Sequence, residues 1–265
     1  MSGTVGRRPA PGAAEPVYSA AFYESQRRMS RRSADAVLPL FLDRVHPRSV
    51  VDVGCGIGTW LAACLELGVG EVVGLDGDHV DRSRLEIPID AFRPSDLERP
   101  VDLGRTFDLA VSVEVAEHLD PTRADSFVAD LTRLAPVVCF GAAIPGQGGI
   151  HHVNEQWPAY WVQRFAEHGF TVLDCVRPAV WDDPACGWWY AQNTLCFVDT
   201  RRDDLVAAFA DLPRWEPAGL ALVHPQILAH HSEAIRVRGA RRQWADALAA
   251  TRRAVVRRLR PRRAP

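Results

Sequence analysis

The stretch Ser49–Trp60, SVVDVGCGIGTW, constrains what this chain can fold into more than any other. Val50, Val51 and Val53 are β-branched, which suits a strand buried on both faces. Three glycines follow on alternate positions, Gly54, Gly56 and Gly58, and TWLAACLEL after them has helical spacing with Leu61 and Leu65 on an apolar face. Strand, glycine turn and helix in this order form the corner where a doubly wound α/β sheet receives a nucleotide-like ligand. Glycines let the backbone come close to that ligand, and the helix start offers unpaired N–H groups. A dinucleotide fingerprint, G-x-G-x-x-G, would need a glycine where Thr59 stands. The loop instead reads D-x-G-x-G-x-G from Asp52. An acid at the end of the first strand repels phosphate and suits a cation or an amino group.

Further elements follow at the distances such a sheet requires. EVVGLD is a second strand ending on Asp76. An acid there accepts hydrogen bonds from ribose hydroxyls, and Gly77 beside it leaves room for close approach; a plain surface-loop aspartate is the alternative. Ile89 to Phe92 reads as a short third strand before an acidic turn at Asp96 and Leu97. Phe107 to Val113 is almost continuously apolar, as in a central parallel strand, and runs into Glu114, Glu117 and His118. PTRADSFVADLTRLA is helical with Pro121 in its first turn, and PVVCFGAAI is a fifth strand. FTVLDCV and YAQNTLCFVDT read as a closing antiparallel pair.

VVDVGCGIG resembles the first motif of class I S-adenosylmethionine-dependent methyltransferases, and EVAEHL is similar to the fourth motif of their small-molecule members. The likeness spans roughly residues 18 to 198. It implies a Rossmann-like, doubly wound seven-stranded sheet, mostly parallel with an antiparallel last strand, and S-adenosyl-L-methionine as cofactor. Asp52, Gly54, Gly56 and Gly58 would hold the cofactor's amino acid end, Asp76 and Gly77 its ribose, and Asp96 and Leu97 its adenine. Glu114 would lie near the sulfonium and His118 at the rim of the acceptor pocket, while Glu117 caps the next helix. The segment PGQGGIHHVNEQWPAYW, with the later WWYAQN, looks like small-molecule methyltransferases of bacterial glycan and secondary-metabolite genes. The [ND]-PP-[YF] motif of nucleic-acid amino-methyltransferases is replaced here by SVEVAEHL, which argues against N-methylation of nucleic-acid bases.

Methyl transfer asks the protein to align donor and acceptor, exclude water and take a proton. Histidine suits the last task, and three stand near the strand ends: His118, His151 and His152. His152 ranks first because Asn154 and Glu155 could orient its ring; a purely structural histidine is the competing reading. A metal held by His151, His152 and Glu155 lacks a third well-spaced ligand, so none is expected. Five of the eight tryptophans fall within residues 157–189, which fits an amphipathic acceptor pocket with Trp157, Tyr160 and Trp161 among its walls, or a packed sheet edge.

The expected organisation is a disordered tail over residues 1–16, a helical lid over 17–48 and a cofactor-binding domain over 49–200, followed by a helical extension over 201–265. Tyr18, Phe22 and Tyr23 would face the pocket from the lid or simply pack it on the sheet. A net charge of -2 gives no overall field for nucleic acid. Residues 236–265 carry eleven arginines against one acid, a segment that suits a solvated helix, an anionic membrane surface or a protein partner. Six cysteines without metal spacing and no long apolar run fit a cytoplasmic protein. The resemblance implies an enzyme acting on a small molecule, most simply by O-methylation of a sugar or natural-product scaffold. Two other uses of the same residues stay open, namely intramolecular cyclisation of S-adenosylmethionine and a non-catalytic binding module with a basic docking tail.

Overall fold

The computed structural model describes residues 20–212 and 216–232, with side chains from residue 27 onward apart from residue 218. The expected N-terminal tail, Tyr18, the side chains of Phe22 and Tyr23, and the basic segment 236–265 lie outside the described residues. The chain opens with helix α1 (Ala20–Val45). Strand β1 (Ser49–Val53), helix α2 (Thr59–Glu66) and strand β2 (Glu71–Asp76) follow, then β3 (Phe92–Pro94) and β4 (Leu109–Val113). Helix α3 (Ala124–Leu134), strand β5 (Val137–Gly141), helix α4 (Pro158–Glu167) and strand β6 (Phe170–Leu173) come next. Two short helices, α5 (Arg177–Val180) and α6 (Trp188–Asn193), lead into strand β7 (Leu195–Asp199) and helix α7 (Asp203–Ala208).

The strands form one seven-stranded sheet in the order β3-β2-β1-β4-β5-β7-β6. Only β7 runs antiparallel, inserted between β5 and β6. Alternation of side chains along each strand sorts the apolar residues into two cores. Val50, Leu109, Val111, Val137, Cys139, Cys196 and Val198 face one way, onto Val37, Phe41 and Leu61 of α1 and α2. Val51, Val53, Ala110, Val138, Phe140 and Phe197 face the other way, onto Phe127, Leu131 and Phe165 of α3 and α4. This is why the central strands read as unbroken apolar runs. The six cysteines are buried and free, behaving as small apolar side chains. Among the described residues no helix is long and apolar enough to cross a membrane.

Helix α1 is continuous, and the wholly buried Ser33 hydroxyl donates to the Met29 carbonyl at 2.8 Å and accepts from Gly187 N at 2.9 Å. A serine bonding back to the carbonyl four residues earlier is compatible with an unbroken helix. The third strand starts at Phe92, because Ile89–Ala91 closes a 3-10 turn after Pro88. YAQN is not strand but the end of α6; its aromatic side packs inward, with Tyr190 against Trp60 at 5.4 Å.

Candidate active site

The chain leaves β1 for β2 and β3 on one side, then crosses back to place β4 on the other. The carboxyl ends of β1 and β4 therefore diverge, opening the crevice where α/β sheets bind ligands. Two adjoining cavities fill it. One, of about 440 Å³, is lined by Gly54, Asp76, Gly77, Asp96, Leu97, Glu114 and His118 among others. The other, of about 300 Å³, is lined by Asp52, Gly54, Gly56, Trp60, Glu114 and Tyr190. Gly54 and Glu114 border both.

The glycine loop is shaped by close contact. Gly54 has φ +93°, and a Cβ on it would stand 2.2 Å from a methyl of Val115. A Cβ on Gly56 would meet nothing, because that position faces open space. Asp76 fixes the loop to β2: one carboxylate oxygen accepts from Gly56 N and the other from Gly77 N, each at 2.7 Å. Asp52 is buried beneath the loop, and burial together with the neighbouring Asp76 carboxylate holds its pKa well above the ordinary carboxylate range. A buried acid beside open space suits an incoming ammonium, and the open face of Gly56 suits a close-lying ligand, so the residues present fit S-adenosylmethionine.

Beyond β4 lies a polar cluster. Glu114 adopts φ +58°, unusual for a non-glycine residue. Its carboxylate accepts from Asn193 Nδ2 at 2.7 Å and Gln147 Nε2 at 2.9 Å. Gln147 Oε1 in turn accepts from Asn193 and Gln192, and Gln192 Oε1 accepts from His224 N at 2.8 Å. Burial pushes the Glu114 pKa up to about 7, although these two amide donors pull it back. Glu117 is wholly buried, and neither carboxylate oxygen makes a hydrogen bond of normal geometry. Burial and the nearby Glu114 carboxylate raise its pKa as well.

Next to this pair, the His118 and His152 rings meet edge to face at 4.8 Å. Burial, then the adjacent His152, lowers the His118 pKa. His152 Nδ1 lies 3.0 Å from Glu155 Oε1. Glu155 also accepts from Gly146 N at 2.7 Å and Gly148 N at 2.8 Å, and these bonds keep its pKa low against the effect of burial. The loop is tied to the turn after β4 by Val153 N and Asn154 N, which both donate to the Glu117 carbonyl.

The two cavities thus bring together all but one of the expected cofactor residues: Asp52, Gly54, Gly56, Asp76, Gly77, Asp96, Leu97 and Glu114 line them, while Gly58 precedes α2 as its N-cap at φ +86°. Of the expected proton acceptors, His118 lines the larger of these two cavities; His152 stands behind it, and His151 and His118 are both exposed. The aromatic walls are placed elsewhere. Trp161 is buried against Phe140 at 5.1 Å, Tyr160 stacks on the Arg164 guanidinium at 3.4 Å, and Trp157 is 42% exposed. Sequence reasoning missed Gln147, Gln192, Asn193 and Tyr190. The available signal was the Gln192 and Asn193 amides between apolar runs, which need buried partners.

The fold and the crevice define an α/β enzyme with its ligand site at the strand ends. Residues 23–138 match the family model described as a methyltransferase domain. That match covers the glycine loop, Asp76 and Asp96, so this part of the chain is similar to methyltransferase domains that use S-adenosyl-L-methionine. Its fold is similar to the sugar N-methyltransferase KedS8 from Streptoalloteichus sp, with 18% identity, 75% of this chain and 99% of that one covered, and a TM-score of 0.53. DesVI of Streptomyces venezuelae also gives 18% identity and 0.53, over 68% of this chain and 96% of its own. An O-methyltransferase family protein from Burkholderia thailandensis gives 16% and 0.50, over 68% and 58%. Comparison with curated proteins finds no match.

Proposed function

We propose that this enzyme methylates a hydroxyl of a small molecule, of sugar or natural-product type. The cofactor supplies an electrophilic methyl group on a sulfonium centre. Asp52 receives its ammonium, Asp76 its ribose, Asp96 and Leu97 its adenine, and Glu114 borders the point where donor and acceptor meet. The observation that carries the reading is the group of buried Glu117, half-buried His152 and exposed His118 beside Glu114, with His118 at the cavity wall. A neutral hydroxyl is a poor nucleophile until its proton is removed, so groups that take or displace a proton belong at this wall. His118 is the ring that reaches the acceptor, with His152 and Glu155 behind it holding its orientation. Helix α1 covers the smaller cavity through Ser30, which serves the role of a lid.

The test is turnover on a panel of hydroxyl- and amino-bearing sugars and scaffolds, with products read by mass spectrometry. S-adenosylhomocysteine together with an O-methylated product is expected. His118→Ala should lower turnover at least tenfold while affinity for S-adenosylhomocysteine stays within about twofold. Methylthioadenosine as the product would replace methyl transfer by cyclisation, and turnover of amines alone would remove the hydroxyl.

A further inference from the structure

We infer that Glu117, His118 and His152 form a binding site for one first-row divalent transition-metal cation at the acceptor side of the crevice. One ligand atom from each residue lies within 4.8 Å of the others. In a tetrahedral site with metal–ligand bonds near 2.1 Å the ligand atoms stand roughly 3.4 Å apart, a distance that small side-chain rotations reach from here.

Glu117 gives the strongest argument. A buried carboxylate is costly unless a charge or hydrogen bonds compensate it, and this one has neither of its oxygens bonded. Its neighbours are two imidazoles, the Glu114 carboxylate, and the backbone N–H groups of Glu117 and Ala143, which offset only part of the effect of burial. A bound cation satisfies all of these groups together.

The surroundings of His152 are those of a metal ligand. Its Nδ1 is engaged by Glu155, itself fixed by two backbone N–H groups, so Nε2 is left to coordinate. Carboxylate, histidine and metal in this relation set the ring's tautomer and direction. The tip of the ring packs on Gly149, where a Cβ would stand 2.2 Å from Nε2, so only glycine admits the ring in this position. The two hydrogen bonds to the Glu117 carbonyl hold the two ligand-bearing segments in fixed relation. Two histidines and one carboxylate suit zinc, manganese, cobalt or iron in the divalent state and leave further positions for the acceptor.

The inference rests on the hydroxyl-acceptor reading and changes what the histidines do in it. With the cation bound they are ligands. The acceptor hydroxyl coordinates, and its lowered pKa lets its proton pass to solvent. An oxygen lone pair then forms the O–C bond to the methyl carbon, and the C–S pair returns to sulfur.

The test uses the full chain, stripped with a chelator, dialysed, and titrated separately with Zn²⁺, Mn²⁺ and Co²⁺ by calorimetry, with the visible spectrum of the cobalt form recorded. One cation per chain is expected. Glu117→Gln and His152→Ala should each lose at least tenfold in affinity while keeping S-adenosylhomocysteine binding, and His168→Ala, an exposed histidine on α4's far end, should change nothing. If Glu117→Gln loses S-adenosylhomocysteine binding too, His152→Ala decides. Absence of saturable binding, or binding that survives His152→Ala, overturns the site. A chain that binds no cation yet methylates hydroxyls overturns this inference alone; a chain that binds the cation but methylates only amines overturns the proposed function and leaves the site standing.

Discussion

Asp76→Ala tests whether the cofactor half of the crevice works as its geometry says. The Asp76 carboxylate accepts from two backbone N–H groups, Gly56 and Gly77, and its side chain is only 14% exposed. Hydrogen bonds to a charged group contribute about 1.5–3 kcal/mol each. The freed N–H groups face a cavity that water can enter, so the apo protein should lose only about 2–3 kcal/mol in total, near the low end for two such bonds. For a chain of this size that lowers Tm by about 4–12 °C. Each carboxylate oxygen keeps a second lone pair, enough to take both ribose hydroxyls. Losing them should weaken S-adenosylhomocysteine by about 1.5–3 kcal/mol, roughly 10- to 150-fold in Kd. Calorimetry with S-adenosylhomocysteine and its 2′-deoxy analogue separates the two effects. The wild type should discriminate against the analogue, and the variant should not. Wild-type affinity in the variant, or a loss of affinity with discrimination unchanged, would remove Asp76 from the ribose.

Gly54→Ala should destabilise the protein by about 3 kcal/mol or more in denaturant titrations, because φ +93° costs a side chain about 1–2 kcal/mol and its Cβ would meet Val115 at 2.2 Å. Adding Val115→Ala should restore only the part due to the clash. Asp52 predicts a pH effect. Its folded-state pKa is raised, so the unfolded chain gives up this proton at lower pH, and stability is lost as pH climbs from the ordinary carboxylate value towards the folded one. Asp52→Asn should therefore gain Tm relative to wild type between about pH 5 and pH 8 in cofactor-free protein, as followed by thermal melts; a difference independent of pH would mean the carboxylate is not perturbed by burial.

How far the sequence could be read depended on whether a feature is written in neighbouring residues. The valine run and glycine loop from Val50 to Gly58 define a strand, a turn and a helix locally, and the two-sided burial of β1, β4 and β5 follows from their continuous apolar character. Asp76 and Asp96 were legible because the sheet places each strand end at a fixed remove from the loop. The acceptor side was not written this way. His152 looked like the leading proton acceptor from the order of residues around it, yet the fold sets His118 between it and the cavity. Trp161 looked like pocket lining because tryptophans cluster there, but helical spacing turns it inward with Phe165. YAQN carried a strand-like reading while its amides belong to a buried cluster reached from Gln147, 45 residues away.

The family-model match divides the chain along a similar line. It spans residues 23–138, which hold α1, β1 to β4 and the cofactor residues, and stops before the loop carrying Gln147 and His152. The two halves meet at Glu114. A non-glycine residue at positive φ costs of order 1–3 kcal/mol and persists only where its surroundings enforce it. Here the enforcement comes from the later half: Asn193 and Gln147 grip the carboxylate, and His224 N anchors Gln192 behind them. The residue bordering both cavities is thus held in its strained conformation by the part of the chain that surrounds the acceptor. A change in that part can therefore reach the cofactor site without touching it. Glu114 is the place to look when an altered acceptor preference comes with altered cofactor affinity.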